Sequence, residues 1–329
     1  MRAAIKLGDV EKVRNLFPHS SFPTDSLLAM AVQDYNTASK HKGHEQIVDF
    51  LISKGATPRL NMLCEAARTG SQALVDRLVS AGAELDIFAC AAIGDLARMK
   101  RLLKRDPNLA KSKTPLETHC YQGFTPLHLC CMTALGRQSP SNERQFLEVG
   151  MLLVECGAEI NASATFYRSL AVTPLDMAAH TGGNIALIEF LIDKGAVISS
   201  FAFAEALGHR GRNADKGFAL ADLFLRHGFK IDAKAKQGTV LHGAANSGSV
   251  DAVRWLLDRG ANVNARGRMG RTPLHLAMER NSSTRIGELL LERGAELEAR
   301  DDLGMTPLDV ARDHGKTKLA EWLKNREKG

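Results

Sequence analysis

Apolar residues recur along this chain in short paired stretches with helical spacing. Between Gly238 and Arg266, Leu241, Ala244 and Ala245 mark the apolar stripe of one short helix. Val250, Val253, Leu256 and Leu257 mark a second, at i, i+3, i+6 and i+7. Neither helix can bury its stripe alone. Small alanines on the first let a neighbour approach, leucines on the second fill the space between units, and stacking supplies the core. The punctuation agrees. Gly-Ala pairs return at Gly55-Ala56, Gly82-Ala83, Gly157-Ala158, Gly195-Ala196, Gly260-Ala261 and Gly294-Ala295, placing a glycine just past a second helix, where a left-handed cap is needed. Thr-Pro-Leu opens units at Thr125, Thr173, Thr272 and Thr306, with threonine as N-cap and proline as first helical residue. A period of roughly 33 residues predicts a stacked helical array.

The pattern places units near Met1, Asp25, Asn61, Phe88, Tyr121, Ala171, Phe201, Gly238, Gly270 and Gly304. A loop–helix–turn–helix unit opened by Thr125-Pro126-Leu127-His128 or Thr272-Pro273-Leu274-His275 resembles the ankyrin repeat. Val240-Leu241-His242 and Thr173-Pro174-Leu175-Asp176 match in part. The resemblance implies an all-α solenoid of about ten helix-turn-helix units with short β-turn projections. It implies one array over 1–329, with irregular repeats at 1–120, insertion-bearing repeats at 121–237, and regular repeats with a C-terminal cap at 238–329.

Three units are longer than the pattern between their helices, at Gln33–Lys42, Thr133–Arg144 and His209–Lys216. These polar segments occupy the same place in the unit and are expected to emerge along one edge as loops. A fourth insertion, Ser163–Leu170, lies in a turn and carries Phe166, Tyr167 and Arg168. Surface loops accept insertions at small cost. Functional loops on a rigid scaffold are the competing reading.

Composition narrows the chemistry. The 329 residues are 44% hydrophobic and 24% charged, as in a folded globular protein, with net charge +6. No apolar run reaches transmembrane length and Met1–Val10 has no signal-peptide core, so membrane insertion and secretion are not expected. Six cysteines without a Cys-x-x-Cys pair read as reduced, buried small residues, and a cytoplasmic protein is expected, with nuclear or host-delivered locations left open. Among His119, Cys120, His128, Cys130 and Cys131, Cys130 and Cys131 fall where other units have Ala244-Ala245 and read as small core residues. His119 and Cys120 in the turn before Thr125 are less constrained, and the spacing matches no zinc-finger pattern, so no metal is expected. No phosphate-binding glycine loop and no nucleophile–base pairing is legible, and no cofactor is expected. The basic stretch Arg98 to Lys113, with Arg98, Arg101, Lys104 and Arg105 at its centre, reads first as a solvated helix face. Its alternative is an anion site, and the lack of interleaved aromatics argues against nucleic acid.

The family resemblance implies a non-enzymatic scaffold that binds another protein through its concave groove, turn tips and inserted edge loops. A monomer is expected. The alternative is small-molecule or polyanion binding, with catalysis not excluded, near the fourth unit. Carried over position by position, the contact residues are Tyr121, Gln122 and Phe124 in the fifth unit, with His180 and Asn246 on first helices. Arg268, Met269 and Arg271 follow in the ninth unit, and Leu303 and Met305 in the tenth. Tyr, Phe, Met and Arg are favoured at interfaces and are not needed to make a turn.

Overall fold

The computed structural model describes all residues except 36–40, 116–120, 167–169, 182–183, 209–213, 236, 281–282 and 327–329. The chain forms two compact units, Met1–Val197 and Ile198–Gly329.

In the first unit successive helices pack in pairs. They are α1 (Arg2–Lys6) with α2 (Val10–Leu16), α3 (Thr24–Asp34) with α4 (His41–Ser53), and α5 (Leu60–Thr69) with α6 (Gln72–Ser80). Then come α7 (Ile87–Ile93) with α8 (Leu96–Arg105), α9 (Pro126–Met132) with α10 (Pro140–Glu155), and α11 (Pro174–Thr181) with α12 (Ile185–Asp193). First helices stack in order, α1 on α3, α3 on α5, and so on to α9 on α11. Their alanines and cysteines make this possible: Ala66, Ala67, Ala91, Ala92, Cys130, Cys131, Ala178 and Ala179 are all buried.

In the second unit the pairs are α13 (Ser200–Ala206) with α14 (Ala214–Arg226), and α15 (Val240–Ser247) with α16 (Val250–Asp258). α17 (Pro273–Arg280) pairs with α18 (Arg285–Glu292), and α19 (Pro307–Asp313) with α20 (Thr317–Arg326). α13, α15, α17 and α19 stack in sequence.

The punctuation read from the sequence is built as expected. The glycines of the six Gly-Ala pairs all have positive φ, between 82° and 91°. At Gly260 its N–H donates to Leu257 O (3.1 Å) and the Ala261 N–H to Leu256 O (3.1 Å), which satisfies the last carbonyls of α16. Thr125 and Thr306 form reciprocal capping boxes with the third helical residue, His128 and Asp309.

Two insertions depart from the expectation of projecting loops. Thr133, Ala134 and Leu135 are buried, and the Ala134 N–H and Thr133 hydroxyl both donate to Ala67 O (3.0 and 3.2 Å). This carbonyl lies in the last turn of α5, where it also accepts from the Gly70 N–H (3.0 Å), so the segment adds donors to the end of a neighbouring helix. Ser139 then starts α10 early by accepting from the Asn142 N–H (3.2 Å). The turn insertion forms strands β2 (Ala164–Phe166) and β3 (Leu170–Val172), which pair antiparallel. β2 also pairs antiparallel with β1 (Tyr121–Gln122), Tyr121 opposite Phe166, giving a three-stranded sheet in the order β1-β2-β3. Much of the first and third insertions, and Tyr167 and Arg168, lie outside the described residues.

Candidate partner-binding surface

The recurring histidines lie at the base of the turns. The Nδ1 of His128, His242 and His275 accepts from the N–H of its threonine N-cap, at 3.2, 3.0 and 3.1 Å. The Nε2 of each then reaches the carbonyl of the next turn: Val172 O at 3.3 Å, Arg271 O at 3.0 Å and Met305 O at 3.0 Å. Nδ1 accepts, so Nε2 carries the proton and donates. Burial lowers all three pKa values, that of His128 to about 4. These residues fix turn to helix and turn to turn. Asp176 and Asp309 keep the local half of the arrangement by accepting from the Thr173 and Thr306 N–H groups (2.8 and 3.0 Å).

A second set of clamps had no signal in the sequence reading. Asn161 donates to Gly195 O (3.0 Å) and accepts from the Val197 N–H (2.9 Å). Asn264 does the same with Gly294 O and the Glu296 N–H (both 2.9 Å). Each asparagine amide bridges its own turn to the next helix end about one repeat later. The matched spacing of Asn161 and Asn264, four residues beyond their Gly-Ala glycines, is the signal that finds them.

Of the proposed contact residues, three are in the core. Tyr121 is 2% exposed, Phe124 0% and His180 7%. Phe166, delivered by β2, covers them: its ring centroid lies 6.5 Å from Tyr121, 6.1 Å from Phe124 and 5.5 Å from His180. The Tyr121 hydroxyl donates to the Glu65 carboxylate, which Arg68 grips through Nε and Nη2 (2.9 and 2.7 Å). Burial, with the Glu65 charge next, pushes the Tyr121 phenol well above its usual range. Aromatic residues beside this turn therefore pack against the inserted strand β2. Gln122 is half-buried in β1.

In the second unit the tips are open. Arg268 is exposed, Met269 is 41% exposed and Leu303 65% exposed. Met269 has φ 58°, and it is the one non-glycine residue with positive φ among the described residues. The Asp302 N–H donates to Met269 O (2.9 Å), tying one tip to the next. Arg271 is committed elsewhere, to Glu279 (2.8 Å) and to Asp301 (3.2 Å). Met305 and Asn246 are half-buried. The residues of the basic stretch divide: Arg98 is half-buried and 3.5 Å from Asp95, whereas Arg101, Lys104 and Arg105 are exposed. Cys64, Cys90, Cys130 and Cys131 are buried free thiols, and burial pushes Cys90 and Cys130 up to about 12. Among the described residues no three His, Cys, Asp or Glu side chains gather as metal ligands. His119 and Cys120 lie outside the described residues.

Comparison with known proteins agrees with this architecture. Residues 241–329 match the family description "Ankyrin repeats (3 copies)". The putative ankyrin repeat protein FPV031 of Fowlpox virus (strain NVSL) is 31% identical over 165 residues, 47% of this chain and 47% of that protein. The E3 ubiquitin-protein ligase KEG of Arabidopsis thaliana is 27% identical over 263 residues, 75% of this chain and 14% of KEG. The chain thus spans about half of one relative and a small part of the other. Among solved structures, the human ASB11 ankyrin repeat domain aligns with TM-score 0.54 and 26% identity, covering 74% of this chain and 98% of that one. The ankyrin repeat domain of Bcl-3 aligns with TM-score 0.52 and 23% identity, covering 72% and 98%. Stacked helix pairs, left-handed glycine caps, histidines joining turn to turn, and these matches have one common explanation: the chain is an ankyrin-repeat protein.

Proposed function

We infer that this protein is a non-enzymatic scaffold that holds another protein, with the turn tips of the second unit as a principal contact. Ankyrin repeats generally mediate protein–protein interaction, and the reading narrows that to a place. The observation that carries it is the exposure of Met269 (41%) and Leu303 (65%) at successive tips, where neither side chain is buried in the stack. A flexible thioether and a leucine side chain at solvent, next to exposed Arg268, are residue types that gain on burial by a partner. Free buried thiols suit a reducing compartment, and we assign the protein to the cytoplasm. No described helix is long and apolar enough to cross a membrane.

The test is quantitative affinity purification with the wild-type chain and a Met269→Asp/Leu303→Asp variant. Both side chains are exposed, so the variant should melt within a few degrees of wild type. Proteins retained by the wild type should be depleted at least about tenfold by the variant. The same set at the same yield from both chains would remove the tips from the interface.

A further inference from the structure

The outward side of α6 and α8, in the first unit, carries a feature that the stack does not need. A cleft of about 730 Å³ opens between these two second helices. Val79, Leu85, Ile93 and Leu96 line it, and each remains half-exposed. Gln72 and Gln145 also line it, Gln145 held by a hydrogen bond to Gly94 O (2.5 Å). Apolar side chains recessed in an open cleft gain free energy only when something covers them.

The cleft lining holds Arg98 and Lys100 with Asp76 and Asp95, and α8 is strongly basic where it runs on from the cleft. Lys104 stands one helical turn beyond Lys100, with Arg101 and Arg105 beside them. All four are exposed, and none makes an ion pair with another described residue. Three arginines on or just after other second helices are instead paired to the preceding helix pair: Arg77 with Glu45 (3.1 Å) and Asp49 (3.0 Å), Arg259 with Asp222 (2.7 Å), Arg293 with Asp258 (2.7 Å). The acids near the cleft are engaged locally. Asp95 caps α8 and meets Arg98, Asp76 accepts from Gln72 (2.8 Å), and Asp106 caps the turn after α8.

We propose that this cleft is a docking site for an acidic amphipathic helix of a partner protein, its apolar edge in the cleft and its carboxylates along α8. This rests on the scaffold reading above and adds a second surface, in the first unit, with the chemistry of its occupant. Lys100 and Lys104 are about 6 Å apart along the helix axis, the repeat of acidic residues at i and i+4 on a helix lying alongside. A helix also supplies apolar groups at i, i+3 and i+4 to fill a groove. A bilayer fits less well, because no large exposed apolar residue projects from α6 or α8. Nucleic acid fits less well, because neither helix carries an aromatic residue on which bases stack.

The experiment is selection of a displayed random 16-residue peptide library on the full chain, followed by affinity measurement on the enriched peptides. The expected winners carry acidic residues and apolar residues at i, i+3 and i+4. They should lose about tenfold or more in affinity on Lys100→Glu/Arg101→Glu/Lys104→Glu, and weaken as salt rises. They should bind Met269→Asp/Leu303→Asp as they bind wild type. The three exposed charges bear on no packing, and an unchanged melting curve checks this. Winners without acidic residues, winners indifferent to the charge reversal, or no winners at all overturn the cleft while leaving the turn-tip reading standing. Phosphatidylserine vesicles that bind wild type and not the charge-reversed chain, with no peptide enriched, would replace the helix with a membrane surface and also overturn it. Winners that need Met269 and Leu303 would support the tips and reject the cleft.

Discussion

Three imidazoles hold first helices to their turns only while they are neutral. Protonating His128, His242 or His275 would turn the Nδ1 acceptor into a donor facing the threonine N–H. Because burial lowers their pKa values, the unfolded chain binds more protons than the folded one as pH falls below about 6.5. The stabilisation is complete above that pH and is lost on the way down to about 4, where His128 itself titrates. For His128 the span corresponds to on the order of 3 kcal/mol. Urea unfolding at pH 7.5 and pH 4.5 should therefore show a lower midpoint in acid, and His128→Asn should narrow the difference between the two. Residue identity also separates packing from contact. Phe124→Ala should cost about 3–5 kcal/mol, whereas Met269→Asp should change stability by under about 0.5 kcal/mol. Denaturant titration of the two variants checks this directly. The sequence could not tell these residues apart, since Tyr121, Phe124 and Met269 all sit beside turn glycines. What separates them is Phe166, whose pairing with Tyr121 is a long-range contact with no local signature.

Helix ends were the most legible elements, because their determinants are local. Thr-Pro and Gly-Ala act through backbone geometry within one turn, and both appear where the pattern places them. At Gly260 nothing lies within 4 Å of an added Cβ, so Gly260→Ala should cost only the left-handed backbone penalty, about 1–2 kcal/mol. Gly287→Ala is different in kind. Its Cβ would stand 2.8 Å from the Trp322 ring, and relief depends on that ring moving. Thermal melts of the two variants should both fall, with added recovery for Gly287→Ala when Trp322 is shortened to Leu. The second helices share a device that periodicity alone did not reveal. A cation one turn after an aromatic residue lies over its ring: Lys54 on Phe50, Lys194 on Phe190, Arg259 on Trp255 and Arg326 on Trp322. The distances run from 3.9 Å for Arg259 to 5.8 Å for Lys194, so the Trp255 pair is the tightest. The insertions were the least legible elements. Polar composition at Thr133–Arg144 suggested an exposed loop, yet the carbonyl at the end of α5 draws Thr133 and Ala134 into the core.

Within each compact unit, each helix pair rests on its neighbours, so stability accumulates along the unit without one central core. A core truncation should weaken its own neighbourhood first. Leu63→Ala in α5 should lower amide-exchange protection in α3, α5 and α7 before it affects α19. Equal loss of protection everywhere would indicate a single all-or-none transition. The regular repeats after Gly238 made the family legible, and the same regularity makes them uninformative about this protein's individual contacts. The contacts proposed above rest instead on exposure and charge, at Met269, at Leu303 and along α8. Both tryptophans of the chain, Trp255 and Trp322, belong to the second compact unit. Tryptophan fluorescence, excited at wavelengths where tyrosine does not absorb, is therefore blind to Met1–Val197, while circular dichroism sees every helix. The chain carries its own two-channel thermometer, and any gap between the two melting curves is the temperature interval over which one unit outlasts the other.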